Sequence, residues 1–175
     1  QSAEDAKRFS QLGAKRVEVL GNLKFDAEVD AAKLEQGQKL GSTHSIITLA
    51  SSREGEELVF LRSIQKYMKN QPVSGVNNAY SAIKNIANVK NTTWMIVPRH
   101  PQRFDAVAQL IESQGFKVSR RSQWSVDAMG NLQREADDNT ILLGDSLGEM
   151  ALYYGMSDVA LLGGSFEPLG GQNLI

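Results

Sequence analysis

Four short segments combine glycine, proline, serine, arginine and acidic residues in ways that suit anion binding. Each directly follows a run of apolar residues. They are ASSREGEEL at residues 50–58, VPRHPQRF at 97–104, GDSLGEM at 144–150 and GGSFEPLGGQN at 163–173. Glycine lets backbone N–H groups approach a ligand closely, and the start of a following helix adds its positive end. The segments therefore predict an anion-binding cleft formed by backbone amides and a nearby arginine.

Arg99 is the cation best placed for such a cleft. Pro98 ends a predicted strand, and Arg99 and His100 precede Pro101, which suits the first turn of a helix. A guanidinium at the tip of a buried strand is costly to desolvate unless it meets an anion, and its planar fork fits phosphate or carboxylate. An ion pair with a neighbouring acid such as Asp145 is the alternative that the sequence leaves open.

Two serines lie three residues before a glutamate where a predicted strand meets a helix. Ser51 precedes Glu54, and Ser146 precedes Glu149. This spacing is typical of a capping box, in which the serine accepts from a helix amide and the glutamate reaches back to the cap. In the second pair, the amides of Leu147 and Gly148 are available to an anion, and Glu149 is able to accept hydrogen bonds from a ribose or a base. Capping is the favoured interpretation, and the two roles are compatible.

The glycine-rich segment at residues 163–173 has two Gly pairs separated by Pro168. Its spacing matches neither the dinucleotide fingerprint nor a Walker loop, so a plain turn-rich loop remains an alternative to an anion cradle. Lys24 follows another predicted strand and either binds an anion or is solvated. The chain has only two histidines, so no metal site is predicted, and no general base is identified.

The composition excludes several classes of protein. Of the 175 residues, 41% are hydrophobic and 22% charged, which fits one globular domain. A net charge of -1 gives no field that would draw the whole molecule onto nucleic acid or anionic lipid. The absence of cysteine excludes disulfides, thiol catalysis and thiolate zinc sites, and no stretch approaches the ~18 apolar residues of a membrane-spanning helix.

Short runs of branched residues alternate with segments of helical period, as in a parallel sheet with crossover helices. Strands are predicted at RVEVLG (16–21), SIITLAS (45–51), TWMIVPR (93–99), TILLGD (140–145) and DVALLGG (158–164), with a weaker one at 116–118. Helices are predicted at 55–69 and 101–114. Polar surface excursions are expected at 70–91, with a short helix near 79–86, and at 120–139. The predicted fold is an α/β, Rossmann-like parallel sheet with helices on both faces.

In such sheets, ligands bind at the carboxyl ends of the strands, where the polar segments collect.

Five segments in order, GNLKFD, ASSREGEE, VPRHPQRF, GDSLGEM and GGSFEPLGGQN, make the chain resemble the donor-binding half of a bacterial 3-deoxy-D-manno-octulosonic acid (Kdo) transferase. The resemblance covers nearly the whole chain. It implies the C-terminal half of a two-domain GT-B glycosyltransferase, with Kdo transferred from CMP-Kdo to a lipid A precursor in lipopolysaccharide biosynthesis.

The resemblance also implies a set of donor-binding residues and no cofactor. CMP would be held by Pro98, Arg99, Leu147, Gly148, Glu149 and the segment that begins at Asn173 with Leu174 and Ile175. Gly164 and Ser165 would line the same crevice. The last motif of the family continues to a glutamate, whereas this chain stops at Ile175, so we expect residues 1–175 to form a donor domain incomplete at its C-terminal end. The family usually has His at the position of Gln172 and often at that of Arg53.

The resemblance places the acceptor site, a glutamate base and any membrane-associating segment in an N-terminal domain that would precede residue 1. It implies an inverting displacement at the cytoplasmic face of the bacterial inner membrane, with no nucleic-acid partner. We therefore expect this chain to bind the donor without catalysing transfer. Two alternatives stay open: another GT-B enzyme using a uridine nucleotide sugar, such as a transferase or an epimerase, and a non-catalytic α/β interaction module.

Overall fold

The computed structural model describes residues 2–20, 28–41, 45–69, 92–127, 132–133, 137–164 and 166. The described residues divide into a small N-terminal unit, 2–20 with 28–29, and a main unit that begins at Asp30. The predicted short helix near 79–86 lies outside the described residues, as do Lys24, Ser165 and residues 167–175.

The N-terminal unit contains one helix, α1 (Ala3–Gln11), and α1 buries none of its residues. Ser2 caps the helix and forms a capping box with Asp5. The strand predicted at 16–21 is wrong over its described part, because residues 16–20 form no strand. Val19 is 49% exposed and Leu20 90% exposed. A strand requires a ladder partner, and the described part of this unit contains no other strand.

The main unit is built on a five-stranded sheet in the order β3-β6-β2-β1-β7. Its strands are β1 (Ser45–Ser52), β2 (Thr92–Pro98), β3 (Lys117–Arg120), β6 (Thr140–Leu143) and β7 (Val159–Leu162). All four pairings are parallel. A two-stranded antiparallel ribbon, β4 (Ser125–Val126) and β5 (Leu132–Gln133), lies between β3 and β6 in the chain. Four of the five predicted strands and the weaker one are thus confirmed.

Helices cover both faces of the sheet, as the apolar runs predicted. They are α2 (Ala31–Gly41), α3 (Glu56–Met68), α4 (Phe104–Ser113), which follows a 3-10 turn at Pro101–Arg103, and α5 (Met150–Met156). One core contains Ile47 and Leu49 of β1 with residues of α3 and α4. The other contains Ile46 with residues of α5, and Leu40 of α2 packs against it. Successive side chains of β1 are therefore buried on opposite faces of the sheet, as expected for a parallel sheet that helices cover on both faces.

Helices α2 and α5 touch backbone to backbone through glycine. A Cβ atom on Gly37 would lie 2.2 Å from the carbonyl oxygen of Leu152, and one on Gly155 would lie 2.3 Å from that of Leu34. A Cβ on Gly41 would similarly meet the carbonyl oxygen of Met156 at 2.5 Å. Only glycine therefore fits at these three positions. The contact fixes the position of α5. This helix directly follows the 144–149 loop, which belongs to one of the predicted anion-binding segments.

Within the described ranges, no helix has both the length and the apolar character needed to cross a bilayer.

Candidate functional site

The loops that follow β1, β2, β6 and β7 meet at the carboxyl edge of the sheet. Backbone hydrogen bonds extend past the strand ends: Arg99 donates to Ser52 (3.1 Å), Gly144 to Ile96 (2.8 Å) and Gly163 to Ala50 (2.8 Å). Each bond joins a loop to the neighbouring strand. The residues around 52–53, 98–100, 144–149 and 163–164 therefore form one polar rim, which is the place where ligands bind to sheets of this topology.

Pro98 and Arg99 lie at the centre of this rim, since β2 is the middle strand. Pro98 is buried, whereas the side chains of Arg99 and His100 are exposed. The backbone of Arg99 is fixed by its bond to Ser52, and the 3-10 turn that starts at Pro101 follows at once. An exposed guanidinium on a fixed backbone is accessible to an anionic ligand.

The loop at 144–149 presents Leu147 and Gly148 at the rim. Leu147 is 73% exposed, and Gly148 has a φ of 70°, a backbone conformation that favours glycine. Lys33, near the start of α2, donates from Nζ to the carbonyl oxygen of Gly148 at 2.9 Å. The ammonium group therefore adds positive charge beside this loop.

The capping box predicted at Ser146 and Glu149 is wrong. Helix α5 begins at Met150 with Glu149 as its N-cap, and no side chain bonds to the cap. The Ser146 hydroxyl instead donates to Glu149 Oε2 and contacts the Tyr153 hydroxyl. The two side chains satisfy each other, so neither is available to the helix amides.

Glu149 is held on both of its oxygens. While Ser146 donates to Oε2, Arg121 donates from Nη2 to Oε1 at 2.8 Å, and both members of that ion pair are largely buried. The Arg121 guanidinium also lies over the Trp124 ring, 5.6 Å from its centroid. Burial, with Glu149 nearby, raises the pKa of Tyr153 to about 12, so its hydroxyl stays protonated at neutral pH. These contacts fix the orientation of the carboxylate in advance.

Asp145 pairs with Arg120, so the ion pair between Arg99 and Asp145 that the sequence left open is not formed. Arg120 Nε donates to Asp145 Oδ2 at 2.7 Å, and the backbone N–H and hydroxyl of Ser122 donate at 2.8 and 2.7 Å. Burial alone would raise the pKa of Asp145, but the hydrogen bonds from Ser122 and Arg120 outweigh it and hold the pKa below its ordinary value. The ion partner of this buried carboxylate is therefore Arg120, not Arg99.

The glycine turn after β7 is attached to a buried carboxylate from α3. Gly164 has a φ of 79°, and its N–H donates to Glu56 Oε1 at 2.6 Å. The N–H of Phe166 donates to the same oxygen at 3.3 Å. Of the predicted site residues in this segment, only Gly164 is described; Ser165, Asn173, Leu174 and Ile175 lie outside the described residues.

The capping box predicted at Ser51 and Glu54 is also wrong. Helix α3 begins at Glu56, and its N-cap is Gly55, with a φ of 91° and no side-chain cap bond. Ser51, at a register shift in β1, has a φ of 55°, which is rare for a residue with a side chain. The helix thus starts two residues after Glu54, so Glu54 lies outside it and is not at the third helical position that a capping box needs.

The structure therefore brings Pro98, Arg99, Leu147, Gly148, Glu149 and Gly164 to one edge of the sheet. It adds four residues that the sequence interpretation missed: Lys33, Glu56, Arg120 and Arg121. Arg120 ends β3 and Arg121 directly follows it, but the sequence interpretation ended that strand at 118 and assigned both arginines to a polar surface excursion. No sequence signal marked Glu56 or Lys33 either, because each lies in a segment whose charged residues are typical of a helix surface. Among the described residues, no cluster of potential metal ligands is found.

Sequence comparison finds several curated relatives along the whole chain. The 3-deoxy-D-manno-octulosonic acid transferase of Bordetella pertussis is 39% identical over 177 aligned positions, covering 100% of this chain and 36% of the relative. The enzyme of the same name from Haemophilus influenzae is 30% identical over 95% of this chain and 34% of the relative. A bifunctional glycosyltransferase/methyltransferase of Fusobacterium nucleatum is 28% identical over 100% of this chain and 24% of the relative. This chain thus spans about a third of the length of the first two relatives.

Structure comparison finds a similar fold in a solved domain. The crystal structure of the C-terminal CMP-Kdo binding domain of WaaA from Acinetobacter baumannii matches with a TM-score of 0.59 and 27% sequence identity. The match covers 82% of this chain and 64% of that domain. No protein-family model matches the chain.

Proposed function

Because this chain is homologous along its whole length to the 3-deoxy-D-manno-octulosonic acid transferases, we propose that it is the part of such an enzyme that binds the donor CMP-Kdo. The observation that carries the proposal is the match to a solved CMP-Kdo binding domain, which agrees with the sequence relatives. The parent protein would be a glycosyltransferase with the GT-B arrangement, and this chain would be its C-terminal half. Its acceptor would be a lipid A precursor, met at the cytoplasmic face of the inner membrane.

The polar rim suits the proposed ligand in charge and in hydrogen-bonding groups. Arg99 is exposed at the middle strand, and the Lys33 ammonium lies beside the Gly148 loop. Both are cations, as the phosphate of CMP requires. Glu149 would accept from the ribose or the base through lone pairs not used by Arg121 and Ser146, since an ionised carboxylate has about four acceptor sites. The roles of Ser165, Asn173, Leu174 and Ile175 in CMP binding stay predictions from the resemblance.

In the proposed reaction, this chain binds the leaving group, CMP. A hydroxyl of the acceptor displaces CMP from the sugar, and the developing negative charge on the CMP phosphate is stabilised by Arg99 and by amides of the 147–149 loop. The proton of the acceptor hydroxyl passes to a base, which we place in another domain of the parent enzyme. The chain alone would bind CMP without turnover, and closure of the two domains would assemble the reaction centre.

A nucleotide titration tests the proposal. Amide chemical shifts of Arg99 and Gly148 are followed while CMP or UMP is added to separate samples. CMP is expected to shift both amides at lower concentration than UMP. A stronger response to UMP would instead indicate an enzyme using a uridine donor, and no response to either nucleotide would favour an interaction module.

A pair of arginine variants locates the binding site. Arg99→Ala is expected to weaken CMP binding about tenfold or more, because a charge-assisted hydrogen bond to phosphate contributes roughly 1.5–3 kcal/mol. Arg62 is exposed on α3, away from the carboxyl edge, so Arg62→Ala removes the same charge without touching the rim. Equal affinities in the two variants would contradict the placement of the phosphate at Arg99.

A further inference from the structure

The carboxylate of Glu56 connects two loops of the rim, and no cation balances its charge among the described ion pairs. Glu56 is 0% exposed. Its Oε1 accepts from the N–H groups of Gly164 (2.6 Å) and Phe166 (3.3 Å), and its Oε2 accepts from the N–H of Arg53 (2.8 Å). The first two donors follow β7, and the third follows β1. One buried side chain thus fixes the backbone on both sides of the β1/β7 end of the rim.

The packing beside this carboxylate is too close to admit a side chain at Gly163. A Cβ atom on Gly163 would lie 2.3 Å from the carbonyl oxygen of Ser51 and 2.8 Å from Glu56 Oε2. Phe166, which follows in the turn, packs its side chain against the core that α3 and α4 form. The backbone after β7 is therefore held by Glu56, and the side chain of Phe166 is held by the core.

An unpaired carboxylate inside a protein is costly, and three backbone donors are what make this one tolerable. Hydrogen bonds from N–H groups to an ionised acceptor are about twice as strong as neutral ones. The neighbouring Glu57 is equally buried, but its charge is balanced by an arginine. It forms a two-pronged ion pair with Arg103, at 2.7 and 3.1 Å, and accepts from Ser52. Glu57 therefore anchors the start of α4, whereas Glu56 anchors the glycine turn.

We propose that Glu56 is a positioning residue for donor binding: its carboxylate presets the backbone at Gly164, Phe166 and Arg53 in the form that receives the nucleotide sugar. The inference rests on the proposed function, since it assigns a role in that same site. Glu56 does not reach the donor, because all its described contacts are to backbone N–H groups and it is fully buried. It acts through the turn.

The test compares Glu56→Gln with Glu57→Gln. Glutamine keeps the shape of Glu56 but has one acceptor oxygen, so its NH₂ group must face either the Gly164 or the Arg53 N–H. One loop then loses its acceptor and shifts. We expect CMP affinity, measured by calorimetry, to fall about tenfold in Glu56→Gln, because an unpaired donor destabilises the receptive form of the turn and the apparent affinity falls with the fraction of molecules that keep this form. In Glu57→Gln, which removes the charge from an equally buried ion pair with Arg103 but keeps an acceptor oxygen for Ser52, we expect CMP affinity to stay within about twofold even though the melting temperature falls.

A second measurement tests the hydrogen bond between the Gly164 N–H and Glu56 without any ligand. Hydrogen exchange of the Gly164 amide is expected to speed up in Glu56→Gln and to stay at the rate of the unaltered chain in Glu57→Gln. If Glu56→Gln does not fold, Gly163→Ala tests the same contact from the opposite side, because its new methyl group presses on Ser51 and Glu56. That variant is expected to weaken CMP binding to a similar extent.

The outcomes separate this inference from the proposed function. Unchanged CMP affinity in Glu56→Gln, or an equal loss in Glu57→Gln, overturns the positioning role while leaving donor binding intact. Failure of the unaltered chain to bind CMP overturns the proposed function, and with it the role in donor binding; the exchange rate of the Gly164 amide then still decides whether Glu56 holds the turn.

Discussion

Glu149 shows how a carboxylate can be fixed before a ligand arrives. Arg121 and Ser146 each hold one of its oxygens, and Tyr153 closes the chain of contacts on the other side of Ser146. A side chain fixed in this way loses little conformational freedom when it accepts a hydrogen bond from a nucleotide. The same arrangement makes Glu149 depend on Arg121, because a largely buried carboxylate without its cation is strongly unfavourable.

Removal of Arg121 should therefore destabilise the fold. We expect Arg121→Ala to lower the free energy of unfolding by about 3 kcal/mol, since it leaves Glu149 buried without its ion partner. Adding Glu149→Gln to that variant should restore part of the loss, because the uncompensated charge is then gone. Urea unfolding of the two single variants and the double variant measures the coupling. Strictly additive losses would show that the two side chains do not depend on each other.

Asp145 makes stability depend on pH in the acid range. Its folded-state pKa lies below the ordinary value, so its contribution is fully present above the unfolded-state pKa, about 4, and is lost as the pH falls through the folded value. The difference in unfolding free energy between the unaltered chain and Asp145→Asn should shrink as the pH is lowered from 6 towards 2. A difference at Asp145 that is constant over this range would contradict the assignment.

At the scale of the elements, the pair α2 and α5 determines where the 144–149 loop can lie. Glycines at 37, 41 and 155 let the two backbones touch, so α5 cannot slide along α2 without a clash. Lys33, also on α2, bonds to Gly148 in the loop itself. One helix thus holds both the loop and the helix that follows it.

Substitution at Gly37 tests this contact. Replacing an exposed glycine within a helix by alanine normally stabilises by up to about 1 kcal/mol. Here the new Cβ would lie 2.2 Å from the Leu152 carbonyl oxygen, so we expect Gly37→Ala to destabilise by about 2 kcal/mol or more. Gln38 is the next residue of α2 and is exposed, so Gln38→Ala is the control and should change stability by less than about 0.5 kcal/mol. A Gly37→Ala variant that is more stable than the unaltered chain would mean that the helices are further apart.

The sequence predicted most of the sheet and the strand-end position of Arg99 because buried parallel strands leave long apolar runs. It failed where the outcome depended on partners distant in the chain. The run at 16–21 has strand character but finds no ladder in the described part of its unit. The serine–glutamate spacing at 146 and 149 is that of a capping box, yet the two side chains bond to each other. Arg120 and Arg121 were overlooked because a polar, aperiodic segment gives no sign of the acids, 25 and 28 residues later, that its arginines meet.

At the scale of the whole molecule, binding of the donor nucleotide should appear as thermal stabilisation. CMP at ten times its dissociation constant adds roughly 1.4 kcal/mol to the unfolding free energy. For a chain of this size, that corresponds to a rise in melting temperature of about 3–6 °C. Differential scanning calorimetry with CMP, and with UMP at the same concentration, measures it. A larger rise with UMP would reverse the donor assignment.

The strand order also constrains how this protein emerges from the ribosome. Strand β1 lies between β2 and β7, and its Ile47 pairs with Val159, about 110 residues further along. At translation rates of roughly 5–20 residues per second, that delay is on the order of 5–20 s. During this interval the edge of β1 that faces β7 has no native partner, and an unpaired strand edge of this kind favours association with other chains.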